Sequence, residues 1–408
     1  MRNESKRSAI KRCSNRNESR PARICTSEPH VRERATSANR THSNTSAAVG
    51  DSRGMHAASG ANATAGATLD RRSFLKAAGF ACAGAVAVAT PCIASLAGAR
   101  PSQPAVTRAY ADEPFDESSA GALVNRFFVM SDTHLDLGGG SYEERLIDAF
   151  EDIAQMNEAP EFVIVNGDIT NDGTAAEYEL FRSLATDAGL DFANRFTLVM
   201  GSHEQSTSDT PGGAAVYAER RATFKEYAGT DEVYFERSIA GAHLIALGPD
   251  LDPTSDWVNF KLSGEQLAWL DAQLSADEVS GRLSLVFCHE PLHGTVKDTT
   301  PGTWGFTNSI ENDAALADII GRHGNLVFFS GHTHAYPDCA VSDDGTRAFV
   351  ASGSVAYEYQ KGSDDSEGSD TSASSGLLVS LYEHALVIDV RDFDNERWDD
   401  RWTFALPL

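Results

Sequence analysis

The chain has 408 residues and a formal net charge of −25, and that charge is unevenly divided. Residues 1–99 hold 15 Lys/Arg against 6 Asp/Glu, a net of +9, which leaves 19 basic and 53 acidic residues, a net of −34, in 100–408. A body this acidic repels phosphate backbones, so no nucleic-acid partner is expected. The body keeps two of the six cysteines, Cys288 and Cys339, too few for a disulfide framework, although the two could pair if their strands are neighbours.

The basic head lacks apolar periodicity over residues 1–54 and is rich in Ser, Asn, Arg and Thr, so residues 1–69 are expected to form a disordered extension. Residues 70–111 read differently. Arg71-Arg72 precede Phe74-Leu75-Lys76 and a run of small apolar residues, and small-residue cleavage patterns follow at Ala97-Gly98-Ala99 and Ala109-Tyr110-Ala111. A basic region, an apolar region and a cleavage site make a secretory signal. The pattern resembles the twin-arginine signal, which implies the twin-arginine export machinery as a partner and an extracellular, cell-envelope or periplasmic location. An uncleaved membrane anchor is the alternative, although Pro91 interrupts the run. Met55 lies at a normal distance before Arg71, and translation is expected to start there.

In the body, 112–408, short apolar runs alternate with helix-periodic segments. Strands are expected at 126–134, 161–168 and 195–201, with helices at 141–156, 174–189 and 214–228. A hairpin turning at Ala240-Gly241 is expected over 233–248. A helix from Ser263 to Leu274 opens on Ser263 with Gln266 three residues later, a capping-box pattern. Strands follow at 282–291 and 324–334 with a helix over 312–322 between them, and then strands without helices. Residues 361–376, acidic and Ser/Gly-rich, read as a solvated loop. Such alternation predicts mixed sheets flanked by helices in one α/β domain.

Five strands end in short polar motifs: "SDTH" with Asp132 and His134, "NGD" with Asp168, "GSHE" with Ser202, His203 and Glu204, "CHE" with His289, and "GHTH" with His332 and His334. Five of the nine body histidines fall in these motifs. Beyond the carboxyl ends of strands, such side chains offer imidazole and carboxylate donors to a divalent metal. Each piece alone has a plain alternative as turn chemistry; the conjunction and its order carry the signal. His243, His323 and His384 read as surface or packing histidines, while His293 could border the site.

The ordered motifs Asp132-Thr133-His134, Gly167-Asp168, Gly201-Ser202-His203-Glu204, His289 and Gly331-His332-Thr333-His334 resemble those of the calcineurin-like metallophosphoesterase superfamily. The resemblance covers about 127–354. It implies a four-layer α/β/β/α sandwich, two divalent metal ions (Mn, Fe, Zn or similar) and hydrolysis of a small phosphate ester, a phosphodiester or phosphomonoester, by metal-activated hydroxide. By position, Asp132, His134 and His334 would hold one metal, Asp168 would bridge, and His289 and His332 would hold the second. His203 would protonate the leaving group and Glu204 would orient its imidazole.

Ser202 departs from the family pattern, which has an Asn ligand there. It could ligate weakly or through water, the second metal could be loosely held or absent, or the site could have lost activity. The expectation is a weaker second metal site. A degenerate scaffold acting as a binding or surface protein is therefore the alternative to an enzyme. A serine nucleophile is disfavoured, because no G-x-S-x-G elbow is present and the adjacent His203 is poorly placed to act as its base.

Asn171 stands where purple acid phosphatase-like members have a metal-ligating tyrosine, so a tyrosinate-iron site is not supported. About 50 residues after Ser354 are too few for the second domain of 5′-nucleotidases. The "SDTHL" opening looks more like small phosphodiesterase-type members. Segments 136–140, 205–213 and 293–306 are candidate specificity loops, with Lys297 and Trp304 as candidate contacts.

Overall fold

A computed structural model describes residues 117–205, 213–252, 260–303, 310–361, 367–371 and 373–406. The head, 1–116, Trp304 and much of the 205–213 loop lie outside these residues. No helix among the described residues is long and apolar enough to cross a membrane.

Two six-stranded sheets form the centre. The first has the order β14-β13-β12-β1-β2-β3, with β1 (Leu123–Met130), β2 (Phe162–Asn166) and β3 (Phe196–Val199) parallel, and β12 (Ser375–Tyr382), β13 (Ala385–Asp392) and β14 (Arg397–Ala405) added antiparallel. The second has the order β4-β5-β6-β7-β9-β8. Here β5 (Ala242–Leu247), β6 (Leu283–Cys288), β7 (Leu326–Ser330) and β9 (Arg347–Ala351) run parallel, and β4 (Phe235–Ile239) and β8 (Asp338–Val341) form antiparallel edges. The expected hairpin is β4–β5, with Gly241 at φ 80° in its turn.

Period-two alternation builds the layers. Phe127 and Val129 of β1 point between the sheets and meet Leu285 and Phe287 of β6 and Phe329 of β7. Phe128 and Met130 point the other way and pack on α1 (Ser141–Gln155) and α2 (Ala175–Asp187). α3 (Ala214–Ala228) adds Phe224 to that layer. Val286 and Cys288 face α4 (Gly264–Ser280) and α5 (Asp313–Arg322). The result is the expected α/β/β/α sandwich.

Several details differ from expectation. Ser263 caps α4 through the Gln266 amide, but the Gln266 side chain pairs with the Gly248 backbone instead of closing a box. The complete capping box is Thr174–Glu177, at the start of α2. Part of the supposed 361–376 loop is a strand, β11 (Glu367–Thr371), paired with β10 (Glu358–Lys361). Cys288 and Cys339 are buried and do not form a disulfide, because β7 and β9 separate their strands.

Candidate metal centre

All five motifs leave the carboxyl ends of parallel strands: β1, β2, β3, β6 and β7. The turns that follow are tight. Asp132, His134, Asp168, His332 and His334 have φ of 53°, 43°, 46°, 68° and 50°. A non-glycine residue in this region costs roughly 1–2 kcal/mol. Five of the eight such residues in the described chain belong to these motifs, and strain gathered in one place marks a functional site.

Backbone ties hold the loops together. Thr133 and His134 donate their amides to the Asp168 carbonyl at 2.9 and 3.0 Å, and Asp132 donates to Gly167 at 3.1 Å. His332 donates its amide to the Asp132 carboxylate, and Gly331 donates to the His289 carbonyl. A Cβ at Gly167 would collide with the His289 ring, and one at Gly331 with Ser131 and the Asp132 carboxylate. The motif glycines are therefore needed for close approach.

Two buried ligand sets result, Asp132/His134/His334 and Asp168/His289/His332, and Asp168 also groups with His134 and His203. His334 Nε2 lies 3.2 Å from Asp132 Oδ1 and 2.9 Å from His134 Nε2. His289 Nε2 lies 3.1 Å from Asp168 Oδ2. Their other ring nitrogens face backbone carbonyls: His334 Nδ1 faces Tyr357 at 3.2 Å and His289 Nδ1 faces Asn166 at 2.8 Å. An Nδ1–H on a carbonyl leaves the Nε2 lone pair aimed at a carboxylate oxygen. Such converging acceptors need positive charge between them, so this donor set fits divalent cations.

The electrostatics state the same demand. Burial alone would lift Asp132, but His289 and His334 hold it down at about 2. Asp168 likewise lies well below the usual carboxylate range, with burial opposed by His289 and His203. Burial, together with His289, lowers His332 to about 3. Burial works against charging His289 too, yet Asp168 and Asp132 push it well above its ordinary value.

His203 sits at the rim, half-buried, with its ring edge-on to His134 at 4.5 Å between centroids. Its Nδ1 lies 3.0 Å from the Asn171 carbonyl and its amide donates to Asp168 Oδ1 at 2.8 Å. The expected orienting role of Glu204 is not what the structure shows. Glu204 is fully buried and accepts the amides of Gly201, Asp168 and Thr170 at 2.7, 3.0 and 2.9 Å. A backbone carbonyl orients His203, and Glu204 braces the loops. Ser202 is buried, and its hydroxyl lies close enough to Glu290 to oppose the rise of that carboxyl.

Glu290 is absent from the expected ligand set although it directly follows His289. It is fully buried, with Oε2 3.1 Å from His332 Nε2. Burial lifts its carboxyl well above the usual range; His289 counters this, and Asp168 and Asp132 add to it. The 352–357 turn was also not marked as part of the site. Ser354 Oγ and the Ala356 amide both donate to the Asp132 carbonyl, at 3.1 and 3.0 Å. Tyr357 packs its ring 4.2 Å from His334 and stacks on Tyr142 at 5.5 Å.

The remaining candidates fall elsewhere. Lys297 Nζ lies 5.7 Å from the Tyr336 ring. His293 pairs with Asp313 at 3.2 Å. His243 is buried between Asp277 and Glu236, at 2.7 and 2.9 Å.

The chain is 24% identical over 242 residues to a curated protein of Synechococcus named as a probable cyclic nucleotide phosphodiesterase, covering 59% of this chain and 82% of that one. A dimetal phosphatase of Danio rerio has the same fold, with a TM-score of 0.51 at 17% identity, over 70% of this chain and all of the other. The profile described as calcineurin-like phosphoesterase matches residues 125–336, more than half of the chain and all five motifs. With the ligand sets it carries, the chain belongs to the calcineurin-like phosphoesterase family and is a phosphoric ester hydrolase.

Proposed function

We propose that this chain is an exported two-metal phosphoesterase that acts on a small, nucleotide-like phosphodiester. The observation that carries the hydrolytic part is the pair of buried ligand sets flanking Asp168, with His203 at their open edge. Asp132, His134 and His334 would hold one ion, and His289 and His332 the other, with Asp168 between them. When bound, two such ions supply Lewis acidity to phosphoryl oxygens and lower the pKa of water.

The chain's own residues do the rest. Asp132 and Asp168 remain ionised at neutral pH, because neighbouring imidazoles hold their carboxyls down. His203 keeps Nδ1–H on the Asn171 carbonyl and turns Nε2 away from that anchor. A proton carried at Nε2 passes to the departing alkoxide oxygen as the P–O bond breaks. The stacked Tyr142 and Tyr357 beside His334 provide an aromatic flank suited to a base or ring.

The diester reading is supported by the name of the Synechococcus relative and by the "SDTHL" opening. The export reading is supported by the Arg71-Arg72 stretch and its apolar run. A panel of bis(p-nitrophenyl) phosphate, p-nitrophenyl phosphate and 3′,5′-cyclic nucleotides, each with Mn, Fe, Zn and Ca, tests the activity. Diester turnover with a higher kcat/KM than the monoester is expected. No turnover of any ester by the metal-loaded protein would sink the proposal. Cell fractionation with sequencing of the mature N-terminus tests export: a start near Arg100 or Asp112 outside the cytoplasm is expected, and retention of residues 70–99 in the cytoplasm refutes it.

A further inference from the structure

We propose that Glu290 is a ligand of the second metal, filling with its carboxylate the place that Ser202 leaves open. This rests on the two-metal reading above and extends it to a residue outside the family's ligand motifs. β6 ends at Cys288, and the chain bends at His289 and Glu290, so adjacent side chains both enter the site. Glu290 is fully buried with Oε2 3.1 Å from Nε2 of His332, a member of the second ligand set. Its oxygens have no hydrogen-bond partner among the described residues, and the Ser202 hydroxyl is the donor type beside them.

A buried carboxylate without donors is costly unless it is paired or coordinates a metal. Here it adjoins, through His332, a ligand set that already converges without it. Ser202 then has a defined job. Its hydroxyl steadies the Glu290 carboxylate, and its short side chain leaves room for it. An Asn side chain from the same Cα would reach into that room. The exchange replaces a neutral amide oxygen with an anionic one, so the second set becomes Asp168, His289, His332 and Glu290. Two carboxylates there favour hard divalent ions such as Mn²⁺. The weak second site expected from Ser202 alone does not follow.

The test is Mn²⁺ binding to the chelator-stripped protein by calorimetry, with electron paramagnetic resonance of the loaded forms. Wild type, Glu290→Gln, Ser202→Asn and the double variant are compared, with folding checked by circular dichroism. Wild type is expected to bind two Mn²⁺ and give an exchange-coupled spectrum. Glu290→Gln keeps one ion, loses affinity for the other by at least about ten-fold, and gives an isolated-ion spectrum. Ser202→Asn alone does not tighten the second ion, and the double variant recovers affinity through the amide.

Two tightly held ions in Glu290→Gln overturn the proposal, as do fewer than two in wild type. Tightening of about ten-fold or more in Ser202→Asn also overturns it, and that variant decides the matter if Glu290→Gln does not fold. Metal counts are independent of turnover. Two ions without hydrolysis of any ester would refute the proposed function and leave Glu290 a ligand, whereas hydrolysis with both ions retained in Glu290→Gln would refute the ligand alone.

Discussion

Glu204 accepts the backbone amide of Asp168 at 3.0 Å while its other oxygen accepts that of Thr170 at 2.9 Å. The carboxylate thus fixes both sides of Asp168, the residue proposed to lie between the two metals. Burial and Asp168 raise the Glu204 carboxyl to about 7, so it is a charged acceptor above that pH, and hydrogen bonds to a charged acceptor contribute roughly 1.5–3 kcal/mol. Glu204→Gln, which turns an N–H₂ toward these amides, is expected to destabilise the chain by about that amount in urea melts at pH 8. Activity should fall, but the dependence of rate on leaving-group pKa should stay as in wild type. A steeper dependence would return Glu204 to the role of orienting His203.

His203 carries the opposite expectation. With its Nδ1 on the Asn171 carbonyl and Nε2 free to protonate a leaving group, His203→Ala should lower kcat by about 10²–10⁴ for alkoxide leaving groups. For p-nitrophenolate, which departs without a proton, the loss should be much smaller. Equal losses for both substrates would argue that His203 binds substrate or metal instead.

Asp168 takes part in two of the metal-capable groupings and accepts the His203 amide. Asp168→Asn should therefore reduce bound metal from two ions to fewer than one per chain and abolish turnover. Elemental analysis beside an activity assay checks this. Retention of both ions would remove Asp168 from the bridging position.

Glu358 supplies a pH prediction outside the two ligand sets. Burial lifts its carboxyl to about 7, partly offset by the Ser375 hydroxyl and the Ser354 backbone. Because the folded-state value lies above the unfolded one, folding favours the protonated acid. That contribution is complete below about pH 4.5 and is lost as pH rises through 7, with about 1.4 kcal/mol per unit of difference. Glu358→Gln should match wild-type stability near pH 4.5 and exceed it at pH 8 by about 3 kcal/mol. Parallel stability curves from pH 5 to 8 would show that the buried acid ionises without penalty.

Asp277 and His243 form a buried pair at 2.7 Å, with Ser284 and Arg282 also donating to Asp277. Removing the carboxylate strands its donors, and Asp277→Asn should cost about 3 kcal/mol in denaturant unfolding. A change below about 0.5 kcal/mol, the ordinary range for a surface substitution, would mean the pair is solvated.

Local order along the chain is what the sequence by itself determined. Short apolar runs named the strands from β1 to β7, helical spacing named α1 to α5, and strand-end Asp and His residues named both metal-capable sets. These rest on short-range chemistry: buried apolar runs, turn-forming glycines and donor types that a cation prefers. Late strands were partly missed. β8 is short and edge-lying, β11 is built from polar residues, and β14 reads "RWDDRWTFA" with little apolar alternation.

Tertiary structure decided which group each polar atom meets. A sequence does not show that the Asn171 main chain receives His203, because every residue carries the same carbonyl. It does not show that Glu204 turns inward to three amides, or that Ser354 closes on Asp132 from across more than 200 positions. Glu290 was hidden for a similar reason. In a continuing strand it would point away from His289; only the bend after Cys288, with His332 arriving from another loop, brings it against the second ligand set.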